Sequence, residues 1–124
     1  MLQPNRATFL GSHIILDVWT EELKYLTNVK LMEDLLSSAA KIACATILSS
    51  NFHEFGEGFG ITGVLVLAES HISVHTWPEY NYAALDIFMC GNSEPKEAVR
   101  FICDRLKVTK SSTQEILRGI EKES

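Results

Sequence analysis

The sequence predicts an α+β fold of two layers, with helices packed on one face of a mainly antiparallel sheet. Three observations carry this expectation. One strand-like and one helical segment open the chain, three strand candidates follow in quick succession after a glycine-rich loop, and a second helical segment comes behind them. At 124 residues the chain suits one domain, 1–124, and leaves no room for a second. With 46% hydrophobic and 22% charged residues it can build a core, and it lacks the composition of a disordered chain.

The first strand is expected over His13 to Trp19, which is rich in β-branched and aromatic residues. Thr20 then offers an N-cap. From Asn28 to about Cys44, Leu31, Leu35, Leu36, Ala39, Ala40 and Ala43 recur at helical spacing, with Lys30, Glu33 and Asp34 on other faces, so this is read as the first helix. Thr46 to Phe52 returns to strand composition, and Phe55 to Gly60 concentrates three of the seven glycines and reads as a loop. Strands are expected over Ile61 to Ala68, Ile72 to Trp77 and Tyr82 to Cys90; Pro78 stops the second and Gly91-Asn92-Ser93 the third. Ser93-Glu94-Pro95 opens a helix through Val108, in which Ala98, Ile102 and Leu106 share a face. The stretch from Ser111 to Leu117 fits a strand or a helix equally.

Eleven basic residues against sixteen acidic ones give a net charge of −5, which argues against nucleic acid or an anionic membrane as the main partner. No apolar run approaches the ~18 residues of a spanning helix. Arg6 precedes a moderately apolar stretch, but His13 and Asp17 interrupt it, and no signal peptide is read. The three cysteines, Cys44, Cys90 and Cys103, form no C-x-x-C pair, so a reducing, cytoplasmic setting is expected.

Chemistry-bearing residues crowd between Glu69 and Gly91. His71 and His75 would suit zinc on a helix, but on a strand their Cα atoms lie ~13 Å apart, too far to share one ion. A hydrolase built from Ser70, His75 and Asp86 lacks the glycines of a nucleophile elbow. A third reading rests on a resemblance. Glu69-Ser70-His71, His75-Thr76-Trp77-Pro78-Glu79, Tyr82-Ala83-Ala84 and Asp86-Ile87-Phe88-Met89-Cys90-Gly91, with Gly11, His13 and Phe52-His53-Glu54-Phe55, closely resemble the short prokaryotic S-adenosylmethionine decarboxylase proenzymes.

That resemblance implies self-cleavage between Glu69 and Ser70 into 1–69 and a pyruvoyl-capped 70–124, with no metal. Serine serves because its oxygen is first the nucleophile and then, once acylated, the leaving group. The pyruvoyl group made from Ser70 would hold S-adenosylmethionine as a Schiff base and accept the electrons released with CO₂, the task pyridoxal phosphate performs elsewhere. The product is the aminopropyl donor for polyamine synthesis. By the same resemblance Cys90 is the proton donor, His75 the proton acceptor in processing, and Thr62 stands where the family has a serine that supports processing. Phe55 stacks on adenine and Glu79 binds ribose.

Each residue also has an ordinary reading. Cys90 suits a small buried hydrophobe, His75 a satisfied polar residue, Thr62 plain strand propensity, Glu79 a solvated turn acid and Phe55 a loop anchor. Relatives of the same fold acting on arginine or ornithine, and an unprocessed binding module, are the alternatives to S-adenosylmethionine decarboxylation. Retention of Phe55 and Glu79 favours the nucleoside substrate, and retention of Ser70 and Cys90 favours an enzyme.

Parity adds a geometric expectation. Ser70 and His75 are five residues apart, so on a strand they point to opposite faces with Cα atoms ~16 Å apart. They cannot meet within one chain. A homodimer formed through the helix-free sheet face or an edge would bring Ser70 and Cys90 of one copy to His75, Thr62, Phe55 and Glu79 of the other, and higher assemblies of the paired fragments are compatible with it. Ala84, Asp86, Phe88 and Cys90 should share the outer face, Leu85, Ile87 and Met89 the core side. Asp86 then needs a partner, which local sequence does not name.

Overall fold

The computed structural model describes residues 9–121; Arg6 and the leader reading that involves it lie outside them. Six strands form one sheet: β1 (Gly11–Trp19), β2 (Ile47–Glu54), β3 (Ile61–Leu67), β4 (Ser70–Trp77), β5 (Tyr82–Cys90) and β6 (Lys110–Arg118). Their order is β2-β3-β4-β5-β1-β6, and every neighbouring pair is antiparallel. Two longer helices, α2 (Val29–Ile42) and α3 (Pro95–Leu106), follow β1 and β5, and the short α1 (Leu23–Thr27) precedes α2. This is the two-layer α+β arrangement that the pattern predicts.

Alternation builds the core. Leu16 and Val18 of β1, Ile72 and Val74 of β4, and Leu85, Ile87 and Met89 of β5 are buried with Leu35, Leu36, Ala39 and Ala40 of α2 and Ala98, Ile102 and Leu106 of α3. Each large side chain removed from water there contributes about 1.5–3 kcal/mol before entropy is counted, so the helices cover one sheet face only. The other face carries His13, Ile15, Asp17 and Trp19 of β1, Thr62, Val64 and Val66 of β3, His71, Ser73, His75 and Trp77 of β4, and Ala84, Asp86, Phe88 and Cys90 of β5. The expected division of β5 holds.

Three local readings change. Asn28, not Thr20, caps the long helix, its side chain accepting from the Leu31 N–H at 3.0 Å. Thr20 is buried instead, accepting from the Glu22 N–H at 2.9 Å and donating to the Leu106 carbonyl at 2.5 Å, so its hydroxyl ties the end of β1 to α3. The five residues of α1 are too few to show a period, and they escape a pattern reading. Ser93 makes no cap for α3, which starts at Pro95 with Glu94 in the cap position.

The stretch from Ser111 to Leu117 lies in β6, an edge strand paired along its length with β1. Nine exposed residues leave it no burial pattern, which is why helix and strand were indistinguishable there. At the other end of the sheet, buried Thr76 accepts from the Ile61 N–H at 2.9 Å and donates to the Leu26 carbonyl at 2.6 Å, locking β3, β4 and α1 together. Gly60 lies so close to the Thr76 carbonyl oxygen that an added Cβ would meet it at 2.2 Å.

Candidate active site

The turn between β3 and β4 presents one unusual peptide. Ser70 has φ +152°, a conformation that costs a non-glycine residue on the order of 1–3 kcal/mol. The residue before it is tied down twice. The Glu69 side chain accepts from the Thr46 N–H at 2.9 Å, and the Glu69 carbonyl accepts from the Cys90 N–H at 3.2 Å and from the Cys90 thiol at 3.1 Å. Two donors on one carbonyl oxygen polarise its carbon toward attack. Ser70, at the start of β4, pairs in register with Met89, next to Cys90. The structure therefore brings Glu69, Ser70 and Cys90 together.

A second group forms five residues further along β4. His53, Thr62, His75 and Ala84 make a row across four strands, and Thr62 Oγ1 lies 2.7 Å from His75 Nδ1. His75 is exposed. A shallow cleft of about 360 Å³ opens here, lined by Asn51, His53, Thr62, Ser73 and His75 among others. Phe55, beyond the end of β2, is exposed and meets the His53 ring edge-on, centroids 4.9 Å apart. Glu79 is exposed in the single 3₁₀ turn Pro78–Tyr80. Thr62 and His75 are thus joined within one chain, whereas Ser70 and Cys90 are not joined to them.

Between the two groups lies Asp86, whose partners are long-range. It accepts from the Ser73 hydroxyl at 2.9 Å and lies 3.0 Å from His71 Nε2, with His13 Nε2 at 3.5 Å from its other oxygen. His75 is not among them, so the Ser70–His75–Asp86 hydrolase does not assemble. Nor do His71 and His75 converge, since one turns to Asp86 and the other to Thr62. His53 and His13 were not singled out from sequence as site residues; the signal that finds them is cross-strand register, which places all four histidines of the chain on the helix-free face.

Two groups have shifted acidities. A hydrogen bond to Asp17, then burial and the same carboxylate's charge, push the Tyr82 hydroxyl up to about 12. Burial, then the charge of Asp104, push the Cys103 thiol up, which keeps it an unreactive neutral group.

The protein is thus of the two-layer α+β class, its sheet covered on one side only, with a strained serine beside a doubly hydrogen-bonded peptide carbonyl and a histidine against a threonine hydroxyl on the bare side. The family model for S-adenosylmethionine decarboxylase matches residues 12–119, and the chain belongs to that family. It is 43% identical to an S-adenosylmethionine decarboxylase proenzyme of Thermodesulfovibrio yellowstonii, covering 90% of this chain and 82% of that one. A proenzyme of the same name from Methanococcus vannielii is 45% identical over 90% of this chain and 91% of its own. The crystal structure of the adenosylmethionine decarboxylase from Aquifex aeolicus superposes with a TM-score of 0.84 at 36% identity, covering 95% of this chain and 98% of that one.

Among the described residues no helix is long and apolar enough to cross a membrane.

Proposed function

We propose that the protein is a self-processing decarboxylase acting on S-adenosylmethionine, and that it cuts itself between Glu69 and Ser70. The observation that carries this is the Glu69 carbonyl, held by both the N–H and the thiol of Cys90 beside a serine of positive φ. Ser70 Oγ adds to that carbonyl carbon, the C–N bond breaks, and the amide becomes an ester. The Cα proton of Ser70 is then removed and the Cβ–O bond breaks, releasing the Glu69 carboxylate and leaving dehydroalanine. Water converts this to a pyruvoyl group with loss of ammonia. In sum, precursor and one water give residues 1–69, a pyruvoyl-capped 70–124 and ammonia.

His75 is the base for the Cα proton. With the Thr62 hydroxyl against Nδ1, its Nε2 is left free to act. It cannot reach Ser70 of its own strand, about five residues and ~16 Å away. Two chains packed through the helix-free face about a two-fold axis place His75 and Thr62 of one opposite Ser70 of the partner subunit. Half-exposed Ile15, Val66 and Trp77 give that face the apolar surface such packing needs.

A pyruvoyl ketone at residue 70 supplies an electron sink for the pair released as CO₂ leaves. This chain's own residues do the rest. The Cys90 thiol delivers a proton to the substrate Cα. Phe55 presents an exposed ring for adenine and Glu79 a carboxylate for the ribose hydroxyls. Intact-mass spectrometry of purified protein tests the reading: two fragments are expected, cut after Glu69, the second lacking an N-terminal amine. A chain of unchanged mass that still releases CO₂ from S-adenosylmethionine would overturn it.

A further inference from the structure

We propose that His13, His71 and Asp86 form a binding site for a divalent transition ion such as Zn²⁺, separate from the processing and decarboxylation residues. One ligand atom from each of the three lies within 4.8 Å of the others. The pairs His71 Nε2 to Asp86 Oδ1 and His13 Nε2 to Asp86 Oδ2 are 3.0 and 3.5 Å apart. Ligands held ~2.0–2.1 Å from one zinc stand roughly 3.3 Å from each other, so small torsional shifts of the two imidazoles suffice. Two imidazoles and one carboxylate with open positions is a donor set that zinc and cobalt accept readily.

A second observation points the same way. His13 Nε2 is sealed from solvent and makes no hydrogen bond among the described residues, although it is aimed at Asp86. A buried polar nitrogen without a partner is costly, and an ion between it and the carboxylate would satisfy it. Ser73 already holds Asp86 through Oδ1 at 2.9 Å, the kind of outer support that orients a metal-binding carboxylate. To bind through Nε2, His71 has to present its neutral tautomer with the proton on Nδ1. The ring of Phe88, 5.2 Å from that of His13 and 5.9 Å from that of His71, walls the site.

One charge opposes the ion. The Arg118 guanidinium lies 3.4 Å from His13 Nδ1. A histidine that binds metal through Nε2 carries its proton on Nδ1 and wants an acceptor there, which arginine is not. Arg118 sits on exposed β6 and has to turn aside for binding. Arg118→Gln supplies an amide oxygen in its place and removes the charge. That substitution distinguishes a metal site from a set of ion pairs.

The experiment titrates mature, chelator-stripped protein with Zn²⁺ by calorimetry and with Co²⁺ by visible absorption. Expected are one ion per chain, cobalt ligand-field bands without thiolate-to-cobalt charge transfer, and affinity at least about tenfold lower in His13→Ala and Asp86→Asn. Arg118→Gln should bind more tightly than the parent. No bound ion, a thiolate band from a cysteine, or undiminished binding in His13→Ala would overturn the proposal and leave ion pairs only. Should Asp86→Asn fail to fold, His13→Ala and Arg118→Gln decide the question.

Discussion

The two ends of β4 are built by different means. At Ser70 the unusual features lie mostly in the backbone, a positive φ and a peptide carbonyl bonded by the Cys90 N–H, with the Cys90 thiol as a second donor. At His75 they belong to side chains standing on regular strand, a threonine hydroxyl against an imidazole with Phe55 and Glu79 exposed nearby. Under the proposed function the first end would break its own peptide bond and lacks only a base, and the second would supply that base to a partner copy, so that pairing would license maturation.

The largest effect is expected from Ser70→Ala, which removes the nucleophile: electrophoresis should give one uncut band of 13.9 kDa, and CO₂ release should be abolished. His75→Ala should slow cutting by about 10²–10⁴-fold, the usual worth of a positioned base. Mixing the two variants tests the division most directly. In a mixed dimer, Ser70 of the His75→Ala chain meets an intact His75, so cutting of that chain should recover; no recovery would mean that both ends act within one chain.

Cys90→Ala, which removes the thiol donor on the Glu69 carbonyl but leaves the N–H, should slow cutting by roughly 10²-fold or more, with Cys90→Ser closer to the parent; single-turnover densitometry would read this. A smaller loss, about tenfold, is expected for Thr62→Val, with Thr62→Ser unaffected. The smallest effect concerns stability. Because the Tyr82 hydroxyl is raised to about 12 in the folded chain, the stability it contributes is fully present below its unfolded value of 10.0 and is lost as pH climbs from there toward 12. Tyr82→Phe should flatten the fall of Tm across that alkaline window.

Much of this was legible in local sequence. Strand alternation over Tyr82–Cys90 placed Asp86 and Cys90 on one face and Leu85, Ile87 and Met89 on the other, as the buried core shows. The odd spacing of Ser70 and His75 on one strand is enough to separate them. Less legible were Thr20, which reads as a cap and serves as a buried tie to α3, and β6, whose nine exposed residues carry no period.

Sequence alone therefore determined the order of the main elements apart from α1 and β6, the core faces and the family, because periodicity and a long motif are properties of neighbouring residues. Only the tertiary structure decided that Cys90 grips the Glu69 carbonyl, that Thr62 holds His75, and that Asp86 lies between His71 and His13. Those contacts join residues 13 to 73 positions apart. They depend on which strand lies beside which and in what register, and that is set by burying the apolar faces of β1, β3, β4 and β5 at once against the same helices.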